Sequence, residues 1–248
     1  MPSRTWIMIK TRYAHRGYHS KPEIPENSLP AFRRAIERGF GAELDVHILR
    51  DGSLAVFHDS ELFRCAGVHG IIEELDMKEL KKLRLEGTDN EIPSFDEVLE
   101  LFEEKAPLII ELKTYKGNYN ELADAVCERL KSYRGDFVLE SFDPRALMRI
   151  RKICPDFVIG QLSQNFFAGQ EAEVAGWQRR PLTDMWFNIL TKPDFIAYKY
   201  EDRFNKANQR YIKKGAQEVC WTIRSKEDLS AVEAAGAIPI FECFDPGL

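Results

Sequence analysis

The chain has 248 residues, of which 44% are apolar and 30% charged, and a formal net charge of -5. That length suits one large domain, such as an α/β barrel, or two small ones, and the acidic balance argues against nucleic acid as the main partner, because phosphate backbones attract basic faces. No run approaches the ~18 apolar residues of a membrane span.

Residues 1–10 lack a long apolar core and a small-residue cleavage site, so no signal peptide is expected. Cys65, Cys127, Cys154, Cys220 and Cys243 are odd in number and widely spaced, and none lies in a CxxC pair. Free thiols in a reducing compartment, and hence a cytoplasmic location, are expected. The first strand falls at 10–14 and ends at His15. A loop with Pro22 and Pro25 leads to Asn27 and Ser28, which cap a helix over 29–38 that Gly39 and Gly41 stop. The second strand is 42–48. Asp51-Gly52 makes a turn, and 54–57 returns as a hairpin arm ending in His58.

Residues 60–92 interrupt the alternation as a small insertion with one helical stretch at 76–83, and a helix at 95–104 restores the rhythm. Further strands fall at 108–112, 137–141, 157–161, 195–198, 218–222 and 238–241, with helices at about 119–132, 144–153, 205–214 and 226–235. Leaving out the hairpin arm, eight strand–helix units remain, the number that closes a (β/α)8 barrel. An open doubly wound sheet is the rival, but no Gly-rich dinucleotide fingerprint follows any strand. The whole chain, 1–248, reads as one barrel domain with the 60–92 insertion and a long link at 163–193.

Reactive groups of such barrels sit at the C-terminal ends of strands. Alternation puts Glu43, Asp45 and His47 on one face of the second strand, and Glu111 and Lys113 together on a later one. Three carboxylates converging on one mouth would repel unless a positive charge sat between them. Oxygen donors with water suit Mg²⁺ or Ca²⁺ and not a thiolate-type site. The alternative is a set of ordinary strand-end ion pairs. His15 and His58 each close a strand beside these carboxylates and fit a general acid and a general base for a phosphate diester. Asp59 either orients His58 or holds the turn. His47 sits further along and is expected at most to support a ligand, while His19 and His69 are given no role. Arg16 can grip two phosphate oxygens, and Lys113 supplies a point charge.

Taken in order, His15-Arg16-Gly17, Pro25-Glu26-Asn27-Ser28, Glu43-Leu44-Asp45-Val46, Asp51-Gly52, His58-Asp59, Ile92-Pro93, Glu111-Leu112-Lys113, Ser141-Phe142 and Trp221-Thr222 resemble the motif series of the glycerophosphodiester phosphodiesterases. The resemblance runs from residue 14 to about 224. It implies a TIM barrel with a small insertion near the second strand, and hydrolysis of a glycerophosphodiester to glycerol 3-phosphate and an alcohol. It also implies a divalent cation at Glu43, Asp45 and Glu111, acid–base roles for His15 and His58, phosphate binding by Arg16 and Lys113, and Trp221 lining the pocket. The chain departs from the pattern at Arg224, where many members carry Asn, and at the end of the last strand, where Glu242-Cys243-Phe244-Asp245-Pro246 replaces a Thr-Asp segment. Both departures are expected at the rim, with Arg224 in a surface ion pair. The 163–193 link carries Phe166, Phe167, Trp177, Met185, Trp186, Phe187 and Leu190 around Arg179 and Arg180. It reads either as a lid or helix packed on the barrel, or as an apolar lip for a lipid tail or a membrane surface. The lip would extend the substrates to lysophospholipids. A barrel that binds a diester without turning it over is the non-enzymatic rival.

Overall fold

Strands come first from local pattern. In the computed structural model, which describes residues 11–168 and 174–247, β1 is Tyr13–Ala14, β2 Gly41–Ile48, β3 Leu54–Val56, β4 Leu108–Leu112 and β5 Phe137–Ser141. They are followed by β6 Ile159–Ser163, β7 Phe195–Lys199, β8 Gln217–Ile223 and β9 Ile238–Phe241. Lys10 of the expected first strand lies outside the described residues. Neighbouring strands pair in parallel in the order β1, β2, β4, β5, β6, β7, β8, β9, and β9 closes back on β1. β3 is the antiparallel hairpin arm on β2, with Val46 opposite Val56. The chain is thus a closed (β/α)8 barrel of eight parallel strands among the described residues.

The helices between strands are α1 Leu29–Glu37, α2 Phe63–Ala66, α3 Met77–Leu80, α4 Phe95–Phe102, α5 Tyr119–Leu130 and α6 Pro144–Ile153. They continue with α7 Gly176–Thr183, α8 Asn188–Thr191, α9 Lys206–Lys213 and α10 Lys226–Ala234. Ser28 caps α1 through its hydroxyl, which accepts from the Ala31 amide at 3.3 Å. Asn27, read with it as a cap, points elsewhere, as described below. Ser94 opens α4 with a capping box to Glu97. The expected 76–83 helix is shorter, a single turn at α3 capped by Asp76.

The fifth barrel strand lies two residues later than 157–161. The Arg151 guanidinium donates to the Pro155 and Phe157 carbonyls and holds that stretch in the approach to β6.

Alternation splits the core in two. Ala42, Leu44, Val46, Ile110, Leu112 and Leu139 face the helices, where they meet Phe32, Phe95, Phe102 and Leu147. Tyr13, Ile109, Val138, Leu162, Phe195, Val219 and Ile238 fill the barrel interior and floor it. Gly160 admits the Phe195 ring, because a Cβ there would stand 2.1 Å from it. Phe32 is fully buried with its ring 5.8 Å from that of Phe102. Phe32→Ala should therefore destabilise the fold by about 3–5 kcal/mol. Urea unfolding checks this, and a loss below about 1 kcal/mol would contradict the packing.

The 60–92 stretch covers the hairpin with its own apolar cluster, in which Phe57, Leu62, Ile72, Leu80, Leu85 and Ile92 pack together. In the 163–193 link, residues 169–173 lie outside those described. Met185 packs on Ile196, Tyr198 and Ala207, whereas Trp177, Trp186, Ile189 and Leu190 of the same stretch face solvent. Cys65, Cys127, Cys154 and Cys220 are free and buried, and Cys243 is free and exposed. Among the described residues, no helix is long and apolar enough to cross a membrane.

Candidate active site

The C-terminal strand ends surround a cavity of about 700 Å³, with His15, Arg16, Glu43, His58, Glu111, Lys113 and Trp221 on its wall. Asp45 lies just beneath, fully buried. Parity and register together make this arrangement. Asp45 of β2 pairs with Glu111 of β4, and Glu111 pairs with Glu140 of β5, so three acids form one row across adjacent strands. Carboxylate oxygens of Glu43, Asp45 and Glu111 all lie within 4.8 Å of one another, and all three residues are buried. A concentrated, oxygen-only donor set of this kind could hold a divalent cation.

The electrostatics suit the binding of a cation. Burial, then Asp45, Glu111 and Glu140, pushes the Glu43 carboxyl well above the usual range. Burial pushes Glu111 up to about 7, against the opposing pull of Lys113. For Asp45 burial acts the same way, but Lys113, His58 and Arg16 outweigh it and hold the group well below its ordinary value. Lys113 Nζ sits 3.1 Å from Asp45 Oδ1 and 2.9 Å from Glu111 Oε1. Arg16 Nη1 donates to Glu26 at 2.7 Å, and its Nε is 3.6 Å from Asp45. Both cations line the cavity, and both already answer carboxylates.

Arg16 itself sits at φ 53°, a left-handed conformation that costs a non-glycine residue on the order of 1 kcal/mol. Its amide donates to Glu43 Oε2 at 3.0 Å and its carbonyl accepts from the Asn27 amide at 2.8 Å, which holds the turn. Gly17 follows at φ 80°, with no room for a Cβ against Ala31.

Each histidine is gripped from behind. His15 Nδ1 lies 2.5 Å from Glu242 Oε2, and its Nε2 lies 3.8 Å from Glu43. His58 Nδ1 lies 2.5 Å from Asp59 Oδ1. Asp59 therefore orients His58, and Arg64 in turn holds Asp59 at 2.5 Å. Burial, then Lys113, lowers His58 to about 4. Burial, then Arg16, also lowers His15. His47 is not a ligand: it bridges Glu73 at 2.7 Å and the His58 carbonyl at 3.2 Å, steadying the loop that carries His58.

Further residues join the site. Asn27 donates to Asp45 Oδ2 at 2.9 Å instead of capping α1. Glu140 is buried on the cavity wall, and its Oε2 has no hydrogen-bond partner among the described residues. Parity with Val138 could have flagged it. Arg64 of α2 donates to both Glu26 oxygens, at 3.0 and 2.8 Å. The placement at the rim holds for Arg224 and needs correction for Glu242. Arg224 is half exposed and does form ion pairs, but Glu242 is largely buried against His15, and the two join each other. His19, given no role, lies 3.8 Å from Glu242. A second acidic cluster, Glu26, Cys65 and Glu86, surrounds Lys21, which lies 2.9 Å from Glu26 and 2.6 Å from Glu86 and supplies the cluster's cation.

Comparison with known proteins matches this geometry. Residues 15–242 match the model of the Glycerophosphoryl diester phosphodiesterase family. A glycerophosphodiester phosphodiesterase of Caldanaerobacter subterraneus subsp. tengcongensis is 29% identical over 233 residues, covering 90% of this chain and 89% of that protein. A Rattus norvegicus lysophospholipase D is 35% identical over 139 residues, 51% of this chain and 42% of its own. An Oleispira antarctica phosphodiesterase, solved in complex with the product sn-glycerol-3-phosphate, superposes with a TM-score of 0.80 at 23% identity, covering 97% of this chain and 95% of that one. The family match spans nearly every element that builds the cavity, from His15 at the end of β1 to Glu242 after β9, and the chain belongs to the glycerophosphoryl diester phosphodiesterase family.

Proposed function

We propose that the whole chain acts as one catalytic domain that hydrolyses glycerophosphodiesters to glycerol 3-phosphate and an alcohol. One observation carries the reading: two imidazoles, each held at Nδ1 by a carboxylate, share a cavity with Glu43 and Glu111, which cluster with the buried Asp45. The product complex of the Oleispira relative supports the substrate class. Glu43, Asp45 and Glu111 would hold Mg²⁺ or Ca²⁺, which when bound neutralises charge on the phosphate oxygens. Arg16 and Lys113 bind those oxygens electrostatically. His15 and His58 act as the acid–base pair, one taking the proton of the attacking oxygen and the other giving one to the leaving alkoxide. Trp221 lines the cavity with its indole N–H buried and without a partner among the described residues, which supports donation to the substrate. Free thiols fit a reducing cytoplasm.

The test is phosphorus NMR of glycerophosphocholine with the enzyme and Mg²⁺ or Ca²⁺. Appearance of glycerol 3-phosphate supports the reading, and a transient cyclic phosphate would assign the attack to the substrate's own hydroxyl. Binding of several diesters without turnover under either ion would replace it by the binding-barrel reading.

A second substrate class is favoured by one feature. A groove of about 590 Å³ shares Phe142 with the catalytic cavity and is walled by Met148, Trp177, Pro181, Leu182 and Phe187. It suits the hydrocarbon chain of a lysophospholipid, and the exposed apolar residues of the 163–193 link suit weak contact with a membrane surface. If so, Trp177→Ser lowers kcat/KM for lysophosphatidylcholine several-fold and leaves glycerophosphocholine unchanged. Equal effects on both would remove the lipid reading.

A further inference from the structure

We propose that Glu242, clamped by Arg224, selects the tautomer of His15 and is thereby a positioning residue for the acid–base step; this rests on the role given to His15 above. The two oxygens of Glu242 have separate tasks. Oε2 lies 2.5 Å from His15 Nδ1. Oε1 accepts from Arg224 Nε at 2.9 Å, with Arg224 Nη2 at 2.7 Å. An ionised carboxylate can only accept, and a guanidinium can only donate. Nδ1 must therefore carry a proton, and in the neutral ring Nε2 has the lone pair, turned toward the carboxylate cluster 3.8 Å from Glu43. A proton picked up from a reacting oxygen at Nε2 makes an imidazolium whose Nδ1–H stays on Glu242, and its release at Nε2 restores the starting form. Arg224 keeps the carboxylate from rotating away.

Charge at Glu242 is secured locally. Burial would raise its carboxyl, but the hydrogen bond with His15, the nearby His19 and the charge of Arg224 hold it well below the ordinary range. Arg224 also lies 3.5 Å from Glu201, and Arg16 and Lys199 line the same cavity. Arg224 and Glu242 stand at the two places where the chain departs from the family pattern, and in the fold they are one contact pair.

Glu242→Gln tests the assignment. Arg224 will take the amide oxygen, so the amide NH2 turns to His15 Nδ1 and drives the imidazole proton onto Nε2. Nitrogen-15 NMR of His15 at neutral pH should show that switch in the cation-free protein, and kcat should fall about 10- to 10²-fold with KM within about twofold. Adding Arg224→Ala frees the amide to rotate. The double variant should regain the Nδ1–H form and most of the lost kcat, whereas Arg224→Ala alone leaves the tautomer unchanged. A merely structural contact predicts a double variant at least as impaired as the single one. Retention of Nδ1–H in Glu242→Gln, or a double variant no better than the single, overturns the proposal. A tautomer that switches and returns while kcat stays constant keeps the positioning by Glu242 and removes the acid–base role of His15.

Discussion

Asp45→Asn is expected to abolish divalent-cation binding and to lower kcat/KM for glycerophosphocholine by about 10³-fold. Asp45 is fully buried between Glu43 and Glu111, and the substitution keeps its shape while removing the charge. A cation acting on phosphoryl oxygens supplies several kcal/mol of transition-state stabilisation, and about 4 kcal/mol corresponds to ~10³ in rate. Calorimetric titration with Mg²⁺ and with Ca²⁺ measures the affinity, and circular dichroism checks the fold. An affinity within twofold of the parent would remove these residues from the cation site. The same titration has a pH signature. Glu111 stands near 7 because burial favours its neutral form, and a carboxyl must lose its proton before it can ligate. Binding should weaken as pH falls below about 7 and should release protons, visible as a buffer-dependent heat.

His58→Ala should cost at least about 10²-fold in kcat with the protein folded and cation-saturated. The imidazole is held by Asp59 and depressed to about 4, with burial as the main cause and Lys113 next. It is neutral across the physiological range and loses its free lone pair only as pH falls through about 4. If it serves as the base, the acid limb of kcat under saturating cation lies below pH 5, well under the 6.5 of an unperturbed histidine. A limb at 6.5, or full activity of the alanine variant, would end the assignment.

The parts of this site legible in the sequence are those set by local rules. Alternation alone puts Glu43 and Asp45 on one face, and the Asp51-Gly52 turn explains how His58 returns to β2. Counting strand–helix units gives the barrel. What stayed hidden depends on relations between distant segments. Parity with Val138 gives the face of Glu140, but its place in the acidic row depends on the register of β5 on β4. Glu242 looked like rim because it follows a strand end, yet closure of β9 on β1 brings it to His15. Asn27 has the composition of a cap, and only the approach of the β1 loop to β2 turns its amide toward Asp45. The two-residue shift of β6 has a similar origin, in a guanidinium on the preceding helix.

The bonds from Arg64 to Glu26 and Asp59 have a consequence for anyone recombining this enzyme with its relatives. Arg64 belongs to the 60–92 stretch, yet its two partners support Arg16 and His58. A chimaera that swaps this stretch without Arg64 would leave Asp59 without its guanidinium and Glu26 with only Arg16 and Lys21. The graft has one fixed point, and it is an arginine that no alignment of loop lengths would mark.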